Sequence, residues 1–309
     1  MSRRSLIQLI VLALVWGASF LFIKLALEGL SPTQLVLGRL VAAVIVLLVI
    51  VAVTRVPLPR GWAVWGHLAL MGIVANIVPF FLFAWAEERV TSGMAGILNG
   101  TTPLFTLAVA VAASTEEHLS PQRLAGFLLG FVGVVVVVGP WRPDGGVNEI
   151  SGQLACLAAA ACYGVAFVYT RRFLSQRGLA PLALSAGQLG VVAVLVGLTA
   201  PFTATDAMTL TPSVLGSILA LGAGGTGLAY LLYYRIISDV GATTASLVTY
   251  LIPIVAVFLG VIVQDDPLTW NIFAGALVVI AGAAIAEGRL APRPITEAPV
   301  VPAPEEVRG

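Results

Sequence analysis

Charged residues are scarce in this sequence: only 10% of its 309 positions are Asp, Glu, Lys or Arg. A soluble globular domain carries about 25%, so most of this chain's surface must face lipid rather than water. Positive and negative charges nearly balance, with a formal net charge of +1. That balance argues against nucleic acid as a partner, because nucleic-acid-binding proteins carry a basic patch or stripe.

Cysteine is almost absent as well, with only Cys156 and Cys162 in the chain. These two fall on different faces of one apolar helix and cannot pair with each other, so no disulfide framework is expected. Neither His67 nor His118 has a second metal ligand one helical turn away. No Gly-x-x-x-x-Gly-Lys-Ser/Thr loop occurs, which excludes ATP use by the P-loop route. We therefore expect no cofactor and no metal, and nothing in this chain implies an ATPase subunit as a partner.

Long apolar stretches are what the sequence has in abundance. A helix of about 20 such residues crosses the roughly 30 Å hydrocarbon layer, whereas barrel strands would show shorter segments of alternating polarity. The pattern predicts an all-α membrane protein with ten transmembrane helices. The predicted spans are Leu6 to Leu27, Thr33 to Thr54, Ala63 to Ala86, Thr91 to Ala113, Pro121 to Gly139, Ser151 to Phe173, Pro181 to Ala200, Pro212 to Tyr234, Gly241 to Val263 and Leu268 to Glu287.

The distribution of arginine predicts the orientation of these spans. If the N-terminus is cytoplasmic, nearly all Lys and Arg residues outside the spans lie on the cytoplasmic side, and only Arg89 and Arg142 lie on the other. This positive-inside bias predicts a multi-pass protein of the cytoplasmic membrane with both termini in the cytoplasm. The lipid bilayer is thus one expected partner. Residues 288–309 are polar and Pro-rich, which predicts a disordered cytoplasmic tail.

The first five spans recur in the second five. The matching positions, at a nearly constant offset, are Trp16 with Tyr163, Arg39 with Gln188, Asn76 with Thr226, Asn99 with Thr249, Pro103 with Pro253 and Gly126 with Gly275. Because each unit has an odd number of spans, the second unit is upside down relative to the first. Inverted repeats with a substrate site near the membrane midplane are typical of secondary transporters. We predict two inverted five-helix repeats, at residues 6–139 and 151–287.

Several segments carry a resemblance to a known family. AYLLYYRIISDVGATTASLVTYLIPIVAVFLGVIVQDDPLTW, from Ala229 to Trp270, resembles the signature of the EamA-type transporters of the drug/metabolite transporter superfamily. FLFAWAEERVTSGMAGILNGTTPLFTLAVAV repeats it more loosely in the first half, and WGASFLFIK resembles the family's opening motif. The resemblance covers about residues 6–287. It implies ten helices, a central cavity between the halves, and export or exchange of small metabolites, often amino acids. The second copy of the opening motif departs from the pattern, with Tyr163 in place of Trp16.

Polar and aromatic residues inside the spans are candidates for a binding site, because placing them in lipid is costly. Arg39 is either a counter-ion for a substrate carboxylate or a structural anchor to backbone carbonyls. Asn76 and Asn99 are either site residues or partners in interhelical hydrogen bonds. The full set of candidate substrate-binding residues is Trp16, Arg39, Asn76, Asn99, Tyr163, Thr249 and Tyr250.

Other intramembrane residues have structural interpretations. Pro103 and Pro253 each remove a backbone donor and free the carbonyl four residues earlier, which predicts a kink in each helix, for packing or for binding. Tyr233 and Tyr234, near a predicted span end, are typical of an interfacial aromatic belt. Lys24 is expected to snorkel or to pair at the surface with Glu28, four residues on.

All fifteen acidic residues fall in loops, at span ends or in the tail. Proton-driven carriers commonly hold an acidic group or histidine within the membrane, so the sequence predicts facilitated diffusion or solute exchange without a membrane-embedded proton-binding carboxylate. The predicted function is secondary transport of small organic metabolites such as amino acids, by export or exchange and by alternating access. The alternative is a non-transporting membrane protein, either a lipid-acting enzyme or a partner subunit. The lack of clustered catalytic residues at one depth counts against an enzyme.

Overall fold

The computed structural model describes residues 3–113, 120–139, 147–174, 177–240 and 248–286, and the regular structure in these ranges is helical throughout. We number the helices α1 to α10 in chain order. Their bounds are Arg3–Ala26, Pro32–Thr54, Trp62–Glu87, Ser92–Ala112, Pro121–Val138, Val147–Phe173, Pro181–Thr203, Pro212–Val240, Val248–Gln264 and Trp270–Ala286. The predicted start of the ninth span at Gly241, the predicted end of the tenth at Glu287 and the tail of residues 288–309 lie outside the described residues.

The composition of the helices fits a membrane protein, as the sequence predicted. Eight of them, α1 to α8, are long and apolar enough to cross a membrane by length and composition, and α9 and α10 are shorter apolar helices. Large apolar side chains are exposed on outward faces, Leu198 to 69% and Phe202 to 83%. Such exposed apolar surface marks contact with an apolar environment rather than with water.

Short polar residues and prolines determine where several helices begin. Thr91, Ser120 and Thr211 each accept, through the side-chain oxygen, a hydrogen bond from the backbone N–H three residues on, at 3.2–3.3 Å. These bonds satisfy donors that have no partner within the helix. Pro occupies the first turn of α2, α5, α7 and α8, where the missing N–H has no intrahelical role. The predicted starts therefore agree with the observed ones within a few residues.

Two helices contain π-helical segments, in which each backbone hydrogen bond spans five residues instead of the four of an α-helix. In α3 the segment is Ile73–Ile77, and in α8 it is the longer Ala220–Leu228. The two segments hold Asn76 and Thr226, which the repeat pairs with each other. Segments of this kind are frequent at functional sites.

The two prolines predicted to kink helices have different surroundings. Helix α4 is broken at Gly100 and Thr101, so that Pro103 lies in the first turn of its second part, Thr102–Ala112. Pro253 lies inside α9, which is continuous from Val248 to Gln264. The two sites meet, because a Cβ at Gly100 would lie 2.7 Å from Pro253 Cγ.

Helix contacts come in matched pairs. Helix α1 packs on α9 and α6 on α4, while α2 packs on α8 and α7 on α3. The two contacts of each pair are related by exchanging every helix of the first five with its counterpart in the second five: α1 with α6, α2 with α7, α3 with α8 and α4 with α9. Helices α5 and α10 pack on each other through glycines, and a Cβ at Gly133 would lie only 2.6 Å from the backbone N of Val279. Small residues of this kind let membrane helices approach closely.

Candidate functional site

A cavity with an empty volume of about 920 Å³, its open mouth included, lies at the centre of the bundle. Every helix except α5 and α10 contributes to its lining. The walls are mostly apolar and aromatic with a few polar groups, which is the usual composition of a small-molecule site. The lining residues that the following argument uses are Trp16, Phe80, Arg39, Asn99, Tyr163, Gln188, Tyr230, Tyr233, Tyr234 and Thr249.

Five of the seven candidate binding residues line this cavity, namely Trp16, Arg39, Asn99, Tyr163 and Thr249. Asn76 lies directly behind the wall, fully buried and hydrogen-bonded to two lining residues. Tyr250 lies elsewhere and packs against the apolar cluster of Leu104, Leu107, Ala283 and Ala286. Consecutive helical residues point about 100° apart, so Tyr250 cannot share the orientation of Thr249.

Arg39 is the buried cation of the cavity, with 6% of its surface exposed. Its Nε donates a 2.6 Å hydrogen bond to Thr226 Oγ1, and its guanidinium stacks over the Phe80 ring at 3.7 Å. The only ion pair within the described part of the chain is between Arg89 and Glu88, so Arg39 has no carboxylate partner there. A guanidinium has five N–H donors, and the bond to Thr226 uses one of them.

A chain of hydrogen bonds surrounds Asn76. Its amide nitrogen donates to Tyr230 OH at 2.8 Å, and its side-chain oxygen accepts from Gln188 Nε2 at 2.7 Å. Tyr234 OH donates to Gln188 Oε1 at 3.1 Å. The chain therefore joins α3, α7 and α8 on one side of the cavity. Of its four members the sequence pointed only to Asn76.

The hydrogen bonds of Arg39 and Asn76 correspond to each other in the repeat predicted from the sequence. Arg39 matches Gln188, and Asn76 matches Thr226, so the Arg39–Thr226 bond in one half corresponds to the Gln188–Asn76 bond in the other. Each bond joins the second helix of one half to the π-helical segment of the other half. Gln188 could have been identified from its match to Arg39 alone.

The π-helical segments also present backbone carbonyls to cavity side chains. Trp16 Nε1 donates to Gly225 O at 3.2 Å, and Tyr230 OH donates to Ala75 O at 3.3 Å. A π-bulge disturbs the regular pattern of backbone hydrogen bonds. These two carbonyls accept hydrogen bonds from the indole N–H of Trp16 and the hydroxyl of Tyr230 instead. Trp16 also packs against Tyr233, with ring centroids 5.2 Å apart.

The carbonyl that Pro103 frees belongs to Asn99, as predicted, and Thr102 Oγ1 donates to it at 2.7 Å. Asn99 lines the cavity, but its side-chain oxygen is buried and accepts no hydrogen bond from a described residue.

The interpretation of Tyr233 and Tyr234 as an interfacial belt is wrong. Both line the cavity, and Tyr234 is only 7% exposed. The predicted span ended at Tyr234, whereas α8 continues to Val240, so both tyrosines lie inside the helix rather than at its end.

The surface pairing of Lys24 with Glu28 is also wrong. Lys24 Nζ donates instead to the backbone carbonyls of Glu87, in a very short contact, and Val90 at 3.1 Å. Nearby, Ser92 Oγ donates to Gln264 Oε1 at 2.5 Å, and the Gly93 N–H donates to Asp266 Oδ2 at 3.2 Å. We call this end of the bundle, where α1, α3, α4 and α9 are joined by these bonds, the Lys24 end.

Metal chemistry finds no support in the part of the chain that the structure covers. In the ranges described above, no group of three or more His, Cys, Asp or Glu residues could hold a metal ion. The arrangement is a mostly apolar cavity with one buried cation and several amide and hydroxyl groups, which suits reversible binding of an organic solute.

Comparison with known proteins agrees with this architecture. A solved crystal structure covers 92% of this chain at a TM-score of 0.67, with 24% sequence identity and 98% of its own length matched. An uncharacterized transporter, YoaV, of Bacillus subtilis is 22% identical over 90% of this chain and 94% of its own length. A probable amino-acid metabolite efflux pump of Salmonella typhimurium is 24% identical over 91% of this chain and 94% of its own length.

The family assignment follows from both halves of the chain. The sequence profile of the EamA-like transporter family matches residues 3–139 and again residues 150–287. This confirms the resemblance seen in the sequence, and it agrees with the apolar helices that surround the cavity. The chain therefore belongs to the EamA-like transporter family and is a multi-pass membrane transporter.

Proposed function

We propose that this chain transports small organic metabolites that carry a carboxylate, such as amino acids, across the cytoplasmic membrane, by export or exchange. The observation that carries the proposal is the buried guanidinium of Arg39 in an aromatic cavity, without a carboxylate partner among the described residues. A carboxylate is the natural partner of a guanidinium, because two parallel N–H donors match its two oxygens. Binding would need no chemical conversion, so we infer that the protein is not an enzyme.

The seven candidate residues have different parts in this proposal. Arg39 binds the carboxylate, and the rings of Trp16 and Tyr163 enclose the organic body of the solute. Asn99 and Thr249 provide polar contacts where they line the cavity. Asn76 acts through Gln188 and Tyr230, which it holds in place, while Tyr250 supports α9 from outside the cavity.

Two inverted five-helix repeats, residues 6–139 and 151–287, would provide the machinery for alternating access. The matched helix contacts, the two equivalent interhelical hydrogen bonds and the two π-helical segments support this arrangement. In such proteins the halves rock around a fixed central site. The bias of arginine supports an orientation with both termini in the cytoplasm, in which the Lys24 end faces the outside.

The name of the Salmonella relative, a probable amino-acid metabolite efflux pump, supports amino acids or related metabolites as the solutes. A cavity with aromatic walls and one cation fits a zwitterion or an organic anion better than a naked inorganic ion, because the walls offer few oxygen ligands.

The experiment is solute uptake into proteoliposomes, with a panel of labelled amino acids and one matched pair, phenylalanine and phenylalaninamide. The amide keeps the ring and the amine but lacks the carboxylate. We expect the wild type to prefer phenylalanine, and Arg39→Gln to lose that preference. Arg60→Gln is the control, because Arg60 is exposed and lies outside the cavity.

Equal loss of both solutes in folded Arg39→Gln protein would instead make Arg39 a structural anchor. No uptake or exchange of any panel member by the wild type, in vesicles of verified protein content, would contradict the proposed substrate class.

A further inference from the structure

One acidic residue is buried although it lies at a span end. Glu87 is the last residue of α3, and none of its surface is exposed. Both carboxyl oxygens are buried, and neither has a hydrogen-bond partner among the described residues. The sequence placed Glu87 correctly at the end of its span, but it did not predict that the surrounding protein would bury the carboxyl group there completely.

The charged and titratable groups around Glu87 come from several elements. They are Lys24 of α1, Asp266 between α9 and α10, Arg39 of α2 and Cys156 of α6. Helix α4, which packs beside the end of α3, has no titratable side chain. The Lys24 ammonium donates two hydrogen bonds to the backbone carbonyls of Glu87 and Val90. This cation is therefore held by the backbone at and just after the C-terminus of α3 rather than by the Glu87 carboxyl group.

An ionised carboxylate in this position would be unfavourable. A buried charge without hydrogen bonds costs several kcal/mol even after relaxation of the protein, whereas a neutral carboxyl group costs far less. The nearby Lys24 and Arg39 reduce that cost, and Asp266 increases it. Neither cation donates a hydrogen bond to the carboxyl oxygens, and attraction at a distance does not replace such bonds in a dry site.

We propose that Glu87 is a proton-binding site that keeps its proton while both mouths of the cavity are closed, exchanges it with water outside when the Lys24 end opens, and releases it to water in the cavity when the opposite mouth opens. The bonds that close this end are those from Lys24 to the carbonyls of Glu87 and Val90, from Ser92 to Gln264 and from Gly93 to Asp266. When they separate, water reaches Glu87. A proton from that water then forms the O–H bond of the carboxyl group, or the O–H bond breaks and the proton returns to water.

The site has a consequence for energy coupling, which rests on the proposed function. The conformation that opens the Lys24 end is the one in which an exported solute leaves the cavity toward the outside. Proton binding at Glu87 and solute release then occur in the same state. The exchange is complete when the proton leaves to the other side through the cavity, whose lining residue Phe83 lies one helical turn before Glu87. The proposal is the alternative to the sequence-based expectation of transport without a proton-binding carboxylate, and the experiments below distinguish the two.

The protonation of Glu87 can be measured without any solute. Infrared difference spectra of the full-length protein in lipid nanodiscs at pH 7 would compare the wild type with Glu87→Gln. We expect the carbonyl stretching band of a protonated carboxylic acid in the wild type and its loss in Glu87→Gln. Glu88→Gln, the control, should keep the band, because Glu88 is 39% exposed and paired with Arg89 at 2.8 Å.

Three outcomes would overturn the assignment. One is an absent band in the wild type, and another is a band that persists in Glu87→Gln. The third is a clear loss of thermal stability or of folding in Glu87→Gln, because glutamine imitates the neutral carboxyl group and should be tolerated. In Glu87→Asp, a second variant, we expect the band to move in frequency rather than vanish.

The coupling is tested separately in proteoliposomes with phenylalanine and an imposed pH gradient at clamped voltage. We expect gradient-driven accumulation in the wild type and in Glu88→Gln, and its fall to the level without a gradient in Glu87→Gln. Unchanged accumulation in Glu87→Gln would contradict the coupling. If no panel member is transported, the proposed function fails, while the infrared result still decides whether Glu87 binds a proton.

Discussion

Arg39 and Thr226 should be energetically coupled through their hydrogen bond, and a double-mutant cycle can measure the coupling energy. Thr226→Val keeps the shape of the side chain but removes the oxygen that accepts the 2.6 Å bond from Arg39 Nε. It also removes the donor to Leu221 O, which costs the same whether or not Arg39 is present. Comparison of Thr226→Val in the wild type and in Arg39→Met therefore isolates the bond between the two side chains.

The expected coupling energy is about 1–2 kcal/mol. Interhelical hydrogen bonds in membranes average about 0.6 kcal/mol and reach about 1.7 kcal/mol, whereas bonds to charged groups in soluble proteins contribute about 1.5–3 kcal/mol. Arg39 and Thr226 are both buried, so the value should lie near the upper end of the membrane range. The equivalent neutral pair, Asn76 and Gln188, should couple by only about 0.6 kcal/mol.

The assay is reversible unfolding in mixed micelles, with the free energy of unfolding determined for each single and double variant. Thr203→Val is the matched control, because Thr203 is exposed and its hydroxyl bonds only to Thr199 O in its own helix. A coupling energy of zero for Arg39 and Thr226 would refute the reasoning. So would a larger coupling for Asn76 and Gln188, because the charge of Arg39 would then contribute nothing.

Two further predictions concern packing and topology. Gly282→Ala should destabilise the protein by about 1–3 kcal/mol in the same assay, because its Cβ would lie 2.5 Å from Gly130 Cα. Gly197→Ala should be neutral or slightly stabilising, since nothing lies near that position and alanine favours a helix; equal effects would contradict the packing argument. In a cysteine-free background, an impermeant maleimide applied to intact cells should label Ala207→Cys and spare Arg60→Cys, and the reverse pattern would invert the proposed orientation.

The starts of the helices could be predicted well, because they depend on a few neighbouring residues in the sequence. The caps at Thr91, Ser120 and Thr211 and the prolines after other caps determine helix starts without reference to the rest of the fold. The length of a helix is less well determined, because a polar residue does not by itself end an apolar span. Helix α8 passes Tyr234 and continues to Val240, which reversed the interpretation of its tyrosines.

The site was predictable where depth alone identifies a residue, as for Arg39, Trp16 and Tyr163. It was not predictable where the answer depends on which helices are neighbours. The repeat pairs Gln188 with Arg39, but the hydrogen bond of Gln188 to Asn76 follows only from the packing of α7 on α3. The burial of Glu87 depends likewise on helices distant in sequence that cover the end of α3, and a span end is normally a wet position.

The contact of α5 with α10 has a mechanical consequence. Their backbones approach closely at glycines, with only the side chains of Val137 and Val279 packed beside them, so the interface leaves little room for the two helices to slide or roll. They also join the first half of the chain to the second, and they contribute nothing to the cavity wall. We expect this pair to behave as a fulcrum. Spin labels placed across it should keep a constant separation. Between pairs of labels at the two mouths of the cavity, one distance should increase as the other decreases.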